Sequence, residues 1–580
     1  MIGYNSLFQN MLHPRNLKLA KNPNRIMRSL IFVLVVALSL RLAAAQDAPS
    51  DAQQKIAGQS ILESSLRADV KFLADDLLEG RGPGTRGDLL GQRYISTQFQ
   101  VLGLEPAASG SYIQKVPLVG VTTSPPKMVQ FKKGDQSLEL KNSDDYIVTS
   151  GLPLEESKFT DAEVVFVGYG MQAPEYGWDD FKDVDVKGKV LLVMNNDPET
   201  DPNIFAGRTR LYYGRWDYKY AKAAEMGAVG ALIIHTDGSA GYPYQVVQTS
   251  WTGEQMALGG VQKGRLKMEG WLTEDASKKL AKFAGHDLDA LRASAESKDF
   301  RPVSLGTTLS ASMKCRVRER ETGNVLGLLK GSDPELSKEW LVYTAHHDHI
   351  GMREARDDSD NIYNGAVDNA TGVGAMLQIA RAMAALPESE RPKRSILFAS
   401  VGAEEQGLLG SKFLAENPPV PAGNLAAVIN IDGINILGPT RDISIIGNGK
   451  SDLDKIVNRI AKWQNRIVTP DQFPSKGSYY RSDQFSLAKV GVPGVYLGVG
   501  SSVIGKPDGW GKQQMREWVA NIYHQTSDEY SEDWDLRGAI EDTKLLFYVG
   551  LQVANQAQMP AWVKGDEFEA ARLEALKGKK

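Results

Sequence analysis

The amino-acid sequence predicts an α/β protein: a mostly parallel, mixed sheet with helices on both faces, interrupted by a smaller inserted β-rich α/β domain. From residue 301 onward, apolar runs rich in β-branched residues alternate with amphipathic helical segments, which is typical of a sheet covered on both faces. Between residues 118 and 300, short strands dominate instead. Because 580 residues exceed a single core, we predict one domain from residues 46–117 and 301–580, with residues 118–300 inserted into it.

The first 45 residues are predicted to be an export signal. Arg25 and Arg28 precede a 12-residue apolar stretch at residues 29–40, and alanines at 43–45 offer a cleavage site. Met27 is an alternative start, and an uncleaved anchor helix is the rival interpretation, although a bilayer span needs about 20 apolar residues. No later stretch of the sequence is long and apolar enough to cross a bilayer. We therefore expect an extracytoplasmic protein, periplasmic or secreted, without a stable membrane span after cleavage.

The charge of the chain argues against nucleic acid as a partner. The formal net charge is −4, and it falls to −10 (61 basic against 71 acidic residues) without residues 1–45, which hold six basic residues and no acid. An acidic body with no basic tract lacks the electrostatic footprint of a nucleic-acid binder. The single cysteine, Cys315, lies in an alternating run at residues 308–317 and is interpreted as a strand residue. One cysteine allows no internal disulfide.

The predicted elements follow in chain order. After a polar segment at residues 46–55, apolar residues recur at helical spacing over residues 57–74 and 89–102, with a glycine-rich loop between them. In the inserted domain we predict strands at residues 162–167, 189–194 and 231–235 and a helix at residues 215–226. In the main domain we predict strands at residues 340–345, 395–401, 426–431, 443–446 and 494–498, and helices at residues 372–386, 407–416, 452–465 and 543–558.

Potential metal ligands follow the carboxyl ends of several of these strands, which is where α/β sheets bind ligands. The set comprises two histidines and three carboxylates: His346, Asp368, Glu405, Asp432 and His524. Five such groups can hold two divalent ions that share one carboxylate. Glu404 is left over beside Glu405, where a general base would be needed. The combination predicts hydrolysis by a two-metal centre.

Two aspartates, one inside this set and one beside it, are interpreted individually. Asp348 stands two residues after His346, so in an extended segment it projects to the same side and is predicted to accept the second N–H of that imidazole. Asp368 stands at the start of a predicted helix, where an aspartate is ordinarily a helix cap. The neighbouring ligands favour a bridge between two ions instead. His347 and His349 are expected to point the other way and to line the rim.

On these motifs the chain resembles the co-catalytic zinc peptidases, a family that includes secreted bacterial aminopeptidases, glutamate carboxypeptidase and the transferrin receptor ectodomain. Residues 76–81 look like the corresponding segment of that family, and residues 118–300 resemble the protease-associated (PA) domain that some members insert. The resemblance implies the zinc-dependent exopeptidase fold and two zinc ions per chain. It implies that His346, Asp368 and Asp432 hold one ion, that Asp368, Glu405 and His524 hold the other, and that Glu404 is the general base.

The resemblance also extends to the substrate pocket. Residues 482–485 and 491–493 look like the segment that lines the pocket in the family, which makes Asp483 a candidate for substrate binding. Tyr479 or Tyr480 is a candidate oxyanion donor, with a packing role as the alternative. Arg481 is a candidate clamp for a terminal carboxylate, with a surface or structural role as the alternative.

We therefore expect an aminopeptidase that acts on peptide substrates. A carboxypeptidase or dipeptidase of the same family is the main alternative: acids near the metals suit a free α-amine, whereas an arginine clamp suits a terminal carboxylate. A non-catalytic receptor-like binding protein and a glutaminyl cyclase are further alternatives. The complete ligand set with Glu404 argues against the first, and the inserted domain argues against the second. The sequence does not indicate which oligomeric state the protein adopts.

Overall fold

The structure is a computed structural model that describes residues 48–260, 265–353 and 360–579. The predicted export signal at residues 1–45 lies outside the described residues. Contacts group the chain into two units, residues 1–51 and 52–580, and everything below concerns the second. Within the described ranges, no helix has the length and apolar character needed to cross a membrane.

The described ranges contain fifteen α-helices and twenty-one strands. The helices are α1 Asp51–Ser60, α2 Glu63–Leu73, α3 Arg86–Val101, α4 Trp216–Glu225, α5 Asp237–Ala240, α6 Tyr244–Ser250, α7 Glu274–Ala284, α8 Leu288–Ala295, α9 Thr371–Ala384, α10 Leu409–Glu416, α11 Leu453–Trp463, α12 Gln484–Lys489, α13 Trp510–Asn521, α14 Arg537–Asn555 and α15 Glu569–Lys577. The strands are β1 Glu105–Pro106, β2 Ile113–Ser124, β3 Met128–Lys133, β4 Gln136–Lys141, β5 Tyr146–Thr149, β6 Glu156–Phe166, β7 Gln172–Ala173, β8 Trp178–Asp179, β9 Val190–Met194, β10 Gly230–Ile234, β11 Glu254–Leu258, β12 Met268–Leu272, β13 Val303–Leu329, β14 Trp340–His346, β15 Gly351–Met352, β16 Ile362–Tyr363, β17 Ser395–Val401, β18 Leu425–Asn430, β19 Asp442–Ile446, β20 Ile467–Pro470 and β21 Gly494–Gly498.

The sheet that carries the site is mixed and mostly parallel, as predicted. Strand β14 lies between β17 and β18 and is parallel to both, and β18 is parallel to β21. Strand β13 closes one side antiparallel to β17, and β19 lies antiparallel to β21 on the other side, followed by a parallel β20. The carboxyl ends of β14, β17 and β18 therefore meet at one edge.

Helices cover both faces of this sheet because its strands alternate between two cores. Tyr343 of β14 and Phe398 of β17 belong to a core shared with α2, α9, α11 and α14. Their neighbours Val342 and Leu397 point the opposite way, into a core shared with α10 and α12. The period of two in a strand explains this division, and burial on both faces explains why these strands have continuous apolar sequences.

Residues 129–313 form two hydrophobic cores of their own. Strands β6, β9, β10 and β12 are parallel, with β5 antiparallel at the edge of β12. Successive residues of β9 point alternately into the two cores, Leu192 into one and Leu191 into the other. The 27-residue strand β13 pairs with β6 near its start and with β17 near its end, so this region and the site-bearing sheet share one continuous strand.

Two predicted helices have different bounds in the structure. Residues 57–74 do not form one helix, because Leu62 is extended (φ −120°, ψ 138°) and separates α1 from α2. The last long helix begins at Arg537, six residues before its predicted start at 543. Its first turns include the buried Gly538 and Ala539, small residues that carry little apolar periodicity.

Candidate metal centre

The predicted ligands converge where three parallel strands end. His346 is the last residue of β14, Glu405 follows β17 by four residues, and Asp432 follows β18 by two. Asp368 comes from a non-helical turn (φ −109°, ψ 87°) just before α9, so it is not a helix cap. His524 follows α13 near the carboxyl end of the chain. The five side chains thus come from five separate segments of the chain.

The two oxygens of Asp368 face different histidines. Asp368 Oδ1 lies 3.1 Å from His346 Nε2, and Asp368 Oδ2 lies 3.2 Å from His524 Nε2. Asp432 Oδ1 is 3.3 Å from the same nitrogen of His346, and Glu405 Oε2 is 3.1 Å from that of His524. Two nitrogen or oxygen ligands about 2.0–2.1 Å from a tetrahedral zinc ion lie roughly 3.3 Å apart. Both groups of atoms have this spacing, and they share Asp368.

The chemistry of these atoms fits a cation better than mutual hydrogen bonding. His524 Nε2 is buried and lies within 3.2 Å of two carboxylate oxygens, yet it makes no hydrogen bond of acceptable geometry. Burial lowers the pKa of His524, but the carboxylates of Glu405 and Asp368 outweigh it and raise that pKa to about 10. A site that favours positive charge on an imidazole so strongly suits divalent ions coordinated by neutral histidines.

The adjacent Glu404 and Glu405 have different surroundings. Glu404 lines an open cavity, together with Asp368 and Asp432. Glu405 lies behind it, against His524 and with Oε1 2.6 Å from His349 Nδ1. A carboxylate oxygen of Glu404 also falls within 4.8 Å of ligand atoms of His346 and Asp432. Burial raises the pKa of Glu404 well above its ordinary range. Glu404 is thus the acid that a ligand in the cavity would meet.

The contacts of Asp348 differ from the prediction. His346 Nδ1 lies 3.2 Å from the backbone carbonyl oxygen of Asp348 but 3.9 Å from its carboxylate, so the carboxylate is not the partner of the ring. Strand β14 ends at His346, and the strict alternation that the prediction assumed ends with it. The Asp348 carboxylate instead accepts the backbone N–H groups of Glu404 at 3.0 Å and Glu405 at 3.3 Å. It therefore orients the turn that carries both glutamates.

His347 and His349 do not line the rim as expected, because both are fully buried. His347 Nε2 is 3.2 Å from an oxygen of Asp88, and its Nδ1 is 3.1 Å from Ser400 Oγ. His349 lies against Glu405, with its ring 5.6 Å from that of His524. His347 thus ties the end of β14 to α3, and His349 supports the ligands from behind.

Several residues that support the centre were missed in the sequence. Arg81 is fully buried and donates to the carbonyl oxygens of His347 at 2.7 Å, Asn364 at 2.6 Å and Gly365 at 2.9 Å. Ser482 Oγ donates to Asp432 Oδ2 at 2.6 Å. These three partners of Arg81 lie 266 to 284 residues away in the chain, so no local pattern identified them.

A cavity of about 640 Å³ opens beside Glu404. Arg481 lines it, as a substrate-binding residue should. Tyr479, Tyr480 and Asp483 do not: both tyrosines are buried in a core with Phe568, Tyr480 donates to Glu567 Oε1 at 2.7 Å, and Asp483 is fully buried. The aromatic residues that do line the cavity near the centre are Tyr496 and Tyr523, the second stacked on His524 with 3.8 Å between ring centroids.

Comparison with known proteins agrees with this geometry. The sequence profile described as Peptidase family M28 matches residues 324–548, which include all five predicted ligands and Glu404. Over 131 residues (22% of this chain and 16% of the relative), the chain is 34% identical to Aminopeptidase NAALADL1 of Mus musculus. Over 129 residues it is 34% identical to a probable zinc metalloprotease of Pyrenophora teres f. teres, of which the match covers 23%. The chain thus matches less than a quarter of the length of either relative.

Two solved structures align with most of the chain, each with a TM-score below 0.5. An aminopeptidase from Aneurinibacillus sp. strain AM-1 aligns with a TM-score of 0.49 and 18% identity over 87% of this chain and 97% of that one. A Peptidase M28 precursor from Shewanella amazonensis SB2B aligns with a TM-score of 0.42 and 16% identity over 88% of this chain and 98% of that one.

Proposed function

We propose that the chain, whose residues 324–548 match the profile of Peptidase family M28, is an extracytoplasmic zinc-dependent exopeptidase, an aminopeptidase that uses two zinc ions. The observation that carries the proposal is the division of Asp368 between two histidines, one oxygen to each. A helix-capping or surface aspartate has no reason to sit between two imidazoles. A bridging ligand of a two-metal centre must do so.

The proposed ligand sets follow from these contacts. His346, Asp432 and one oxygen of Asp368 would hold one zinc ion, and His524, Glu405 and the other oxygen of Asp368 would hold the second. Ser482 holds the carboxylate of Asp432 through a 2.6 Å hydrogen bond. Bound zinc would supply an activated water and polarise the scissile carbonyl group.

Within this proposal Glu404 moves the proton. Its carboxylate lines the cavity beside the two ligand sets, so it is within reach of a water and of the leaving nitrogen. The Asp348 carboxylate fixes the Glu404 backbone and so the direction of this side chain. Tyr523 replaces Tyr479 and Tyr480 as the candidate to donate an O–H to a developing oxyanion, because the hydroxyl of Tyr496 already donates to the backbone oxygen of Asp432 at 3.2 Å.

A free α-amine is the group we propose for recognition at the centre, because the cavity wall there carries the carboxylates of Asp368, Glu404 and Asp432. A carboxypeptidase or dipeptidase is the second candidate, and the observation that favours it is Arg481, whose guanidinium lines the same cavity. Peptides are the proposed partner in either case, and the acidic chain does not suit nucleic acid.

Export is proposed from the sequence of residues 1–45, where two arginines precede an apolar stretch and three alanines. Fractionation of cells that express the full chain, followed by amino-terminal sequencing of the product, tests this directly. A processed amino terminus near residue 46 outside the cytoplasm supports export. A full-length chain held in the cytoplasm contradicts it.

The enzymatic proposal is tested on the purified protein by elemental analysis and an assay with three substrate series. These are aminoacyl anilides, dipeptides, and peptides with blocked amino termini. We expect about two zinc ions per chain, and release of unblocked amino-terminal residues that a chelator abolishes and zinc restores. Cleavage of blocked peptides only would establish the carboxypeptidase instead. If the protein neither binds zinc nor hydrolyses any of these substrates after zinc is added, it is a binding protein and the enzymatic proposal is wrong.

A further inference from the structure

Three cationic side chains line the cavity beside the metal centre. Lys476 and Arg481 come from the segment that precedes α12, and Arg516 comes from α13 on the facing wall. Lys476 Nζ lies 5.1 Å and Arg516 Cζ lies 5.9 Å from the centre of one ring, that of Phe473. The two cations thus lie against the same aromatic ring.

None of these cations makes a direct ion pair with a carboxylate in the described ranges; the charges of Asp471 and Glu404 act on Lys476 and Arg481 only from farther away. The two other acids that line the cavity away from the metal centre have different partners. Asp471 accepts the backbone N–H of Phe473 at 2.7 Å, and Glu517 accepts from Gln513 and Gln514 at 2.8 and 2.9 Å.

Gathering like charges without direct ion pairs is unfavourable, because each raises the energy of the others. Burial lowers the pKa of Lys476, the nearby guanidinium groups of Arg481 and Arg516 lower it further, and the carboxylate of Asp471 offsets only part of this. A cluster of cations of this kind is stabilised when an anion binds to it. Since all three side chains line the cavity that Glu404 also lines, the anion and the scissile bond belong to one bound molecule.

Apolar side chains contribute much of the remaining wall, and the cavity is large enough for such a molecule. Ile434, Leu497, Met515, Trp518 and Val519 contribute to its walls. Its volume of about 640 Å³ falls within the range of small-molecule sites, roughly 300–1,000 Å³. A long polypeptide is not required to fill it.

We propose that the preferred substrate is a short peptide with a carboxylate that Arg481, Lys476 and Arg516 bind while the scissile bond lies beside Glu404. This inference rests on the proposed peptidase function and names its substrate class. The carboxylate has two sources with the same chemistry, the free carboxyl terminus of a dipeptide and the side chain of an acidic residue. The unpaired cations recognise either one by charge-assisted hydrogen bonds.

The test compares substrates that differ only in that charge. One arm measures kcat/KM for Leu-Leu against Leu-Leu amide, and the other measures it for glutamyl against glutaminyl anilide. A charge-assisted hydrogen bond contributes enough to change kcat/KM by about tenfold or more. We expect such a preference for the acid in one arm, and that arm identifies the source. Equal values in both arms would overturn the proposal, whereas absence of zinc-dependent hydrolysis of every substrate would overturn the peptidase function instead.

Variants connect the preference to the three side chains. In Lys476→Met and Arg516→Met, the ratio of kcat/KM for the acid to that for its neutral partner should fall several-fold. Lys512→Met is the matched control, because Lys512 is an exposed cation on the same helix that does not line the cavity, and its ratio should equal that of the parent chain. Unchanged ratios in both cavity variants would contradict the assignment.

A binding measurement keeps the inference testable if turnover is slow. Calorimetry with metal-free protein compares Leu-Leu with Leu-Leu amide and Glu-Leu amide with Gln-Leu amide, so the metal does not bind the carboxylate in place of the cations. Tighter binding of one acid than of its neutral partner, weakened in Lys476→Met but not in Lys512→Met, supports the inference. Equal binding within both pairs refutes it.

Discussion

The carboxylate of Asp528 holds the backbone of Asp368 in place. Its Oδ2 accepts the N–H of Asp368 at 3.1 Å, its Oδ1 accepts that of Val367 at 3.0 Å, and its backbone oxygen accepts that of Ala366 at 3.0 Å. Asp528 is fully buried. On the other side of the same turn, Arg81 donates to the carbonyl oxygens that precede Ala366. The carboxylate of Asp528 and the guanidinium group of Arg81 thus fix the turn that carries the proposed bridging ligand.

Asp528→Ala should therefore weaken zinc binding although Asp528 is not a proposed ligand. It leaves buried N–H groups without acceptors and frees the turn of Asp368, and the loss of such supporting contacts typically costs about 10–100-fold in metal affinity. Competition with a chromophoric chelator measures the change. Asp533→Ala, an exposed acid five residues on, is the control and should bind zinc as the parent chain does. Equal zinc affinities in the two variants would show that the turn keeps its conformation without the carboxylate of Asp528.

Glu404→Gln and Glu405→Gln should fail in different ways. Glu404 lines the cavity and is proposed to move a proton, so Glu404→Gln should keep both zinc ions and lose about 10²–10⁴ in kcat. Glu405 contacts His524 behind the cavity and is proposed as a ligand, so Glu405→Gln should lose zinc. Elemental analysis and kcat on the two variants decide. Zinc loss in Glu404→Gln would contradict its role in proton transfer alone, and full zinc content in Glu405→Gln would contradict its role as a ligand.

The centre could be predicted from the sequence where it depends on strand ends. His346, Glu404 and Asp432 follow apolar runs that can only be buried strands, and parallel strands bring their carboxyl ends together. The fold class followed from the same runs. Such features are local, because an apolar run determines its own burial and its polar end marks the edge of the sheet.

The supporting residues could not be predicted, because their partners are distant in sequence. Arg81 donates to carbonyl groups 266 and more residues away. The choice of Tyr479 and Tyr480 was wrong for the same reason. Their short helical turn packs against Phe568, far along the chain, and turns both rings away from the cavity. Tyr496, in the middle of the short strand β21, carried no comparable local signal.

Arg81→Met should destabilise the protein strongly. The buried guanidinium donates to carbonyl oxygens of Leu73, His347, Asn364 and Gly365, and methionine leaves these acceptors unsatisfied. Since each buried unsatisfied group costs about 1–3 kcal/mol, the free energy of unfolding should fall by at least roughly 3 kcal/mol. Urea unfolding measures it.

Arg86→Met provides the comparison for this variant. Arg86 is exposed and its contact with Glu79 Oε1 is 3.4 Å long, so the free energy of unfolding should change by no more than about 0.5 kcal/mol. If the two variants unfold at the same urea concentration, the buried hydrogen bonds of Arg81 do not stabilise the fold as argued.

Glu269 should make the stability of the protein depend on pH. Burial raises the pKa of this carboxyl group on β12 from an ordinary value of 4.5 to about 7. Between these values the folded chain keeps a proton that the unfolded chain releases, so the free energy of unfolding falls as pH rises from about 4.5 to about 7. Glu269→Gln removes this contribution. The variant should match the parent near pH 4.5 and exceed it by roughly 3 kcal/mol at pH 8, as measured by urea unfolding at both values. A difference that does not grow with pH would mean that the carboxyl group ionises freely in the folded chain.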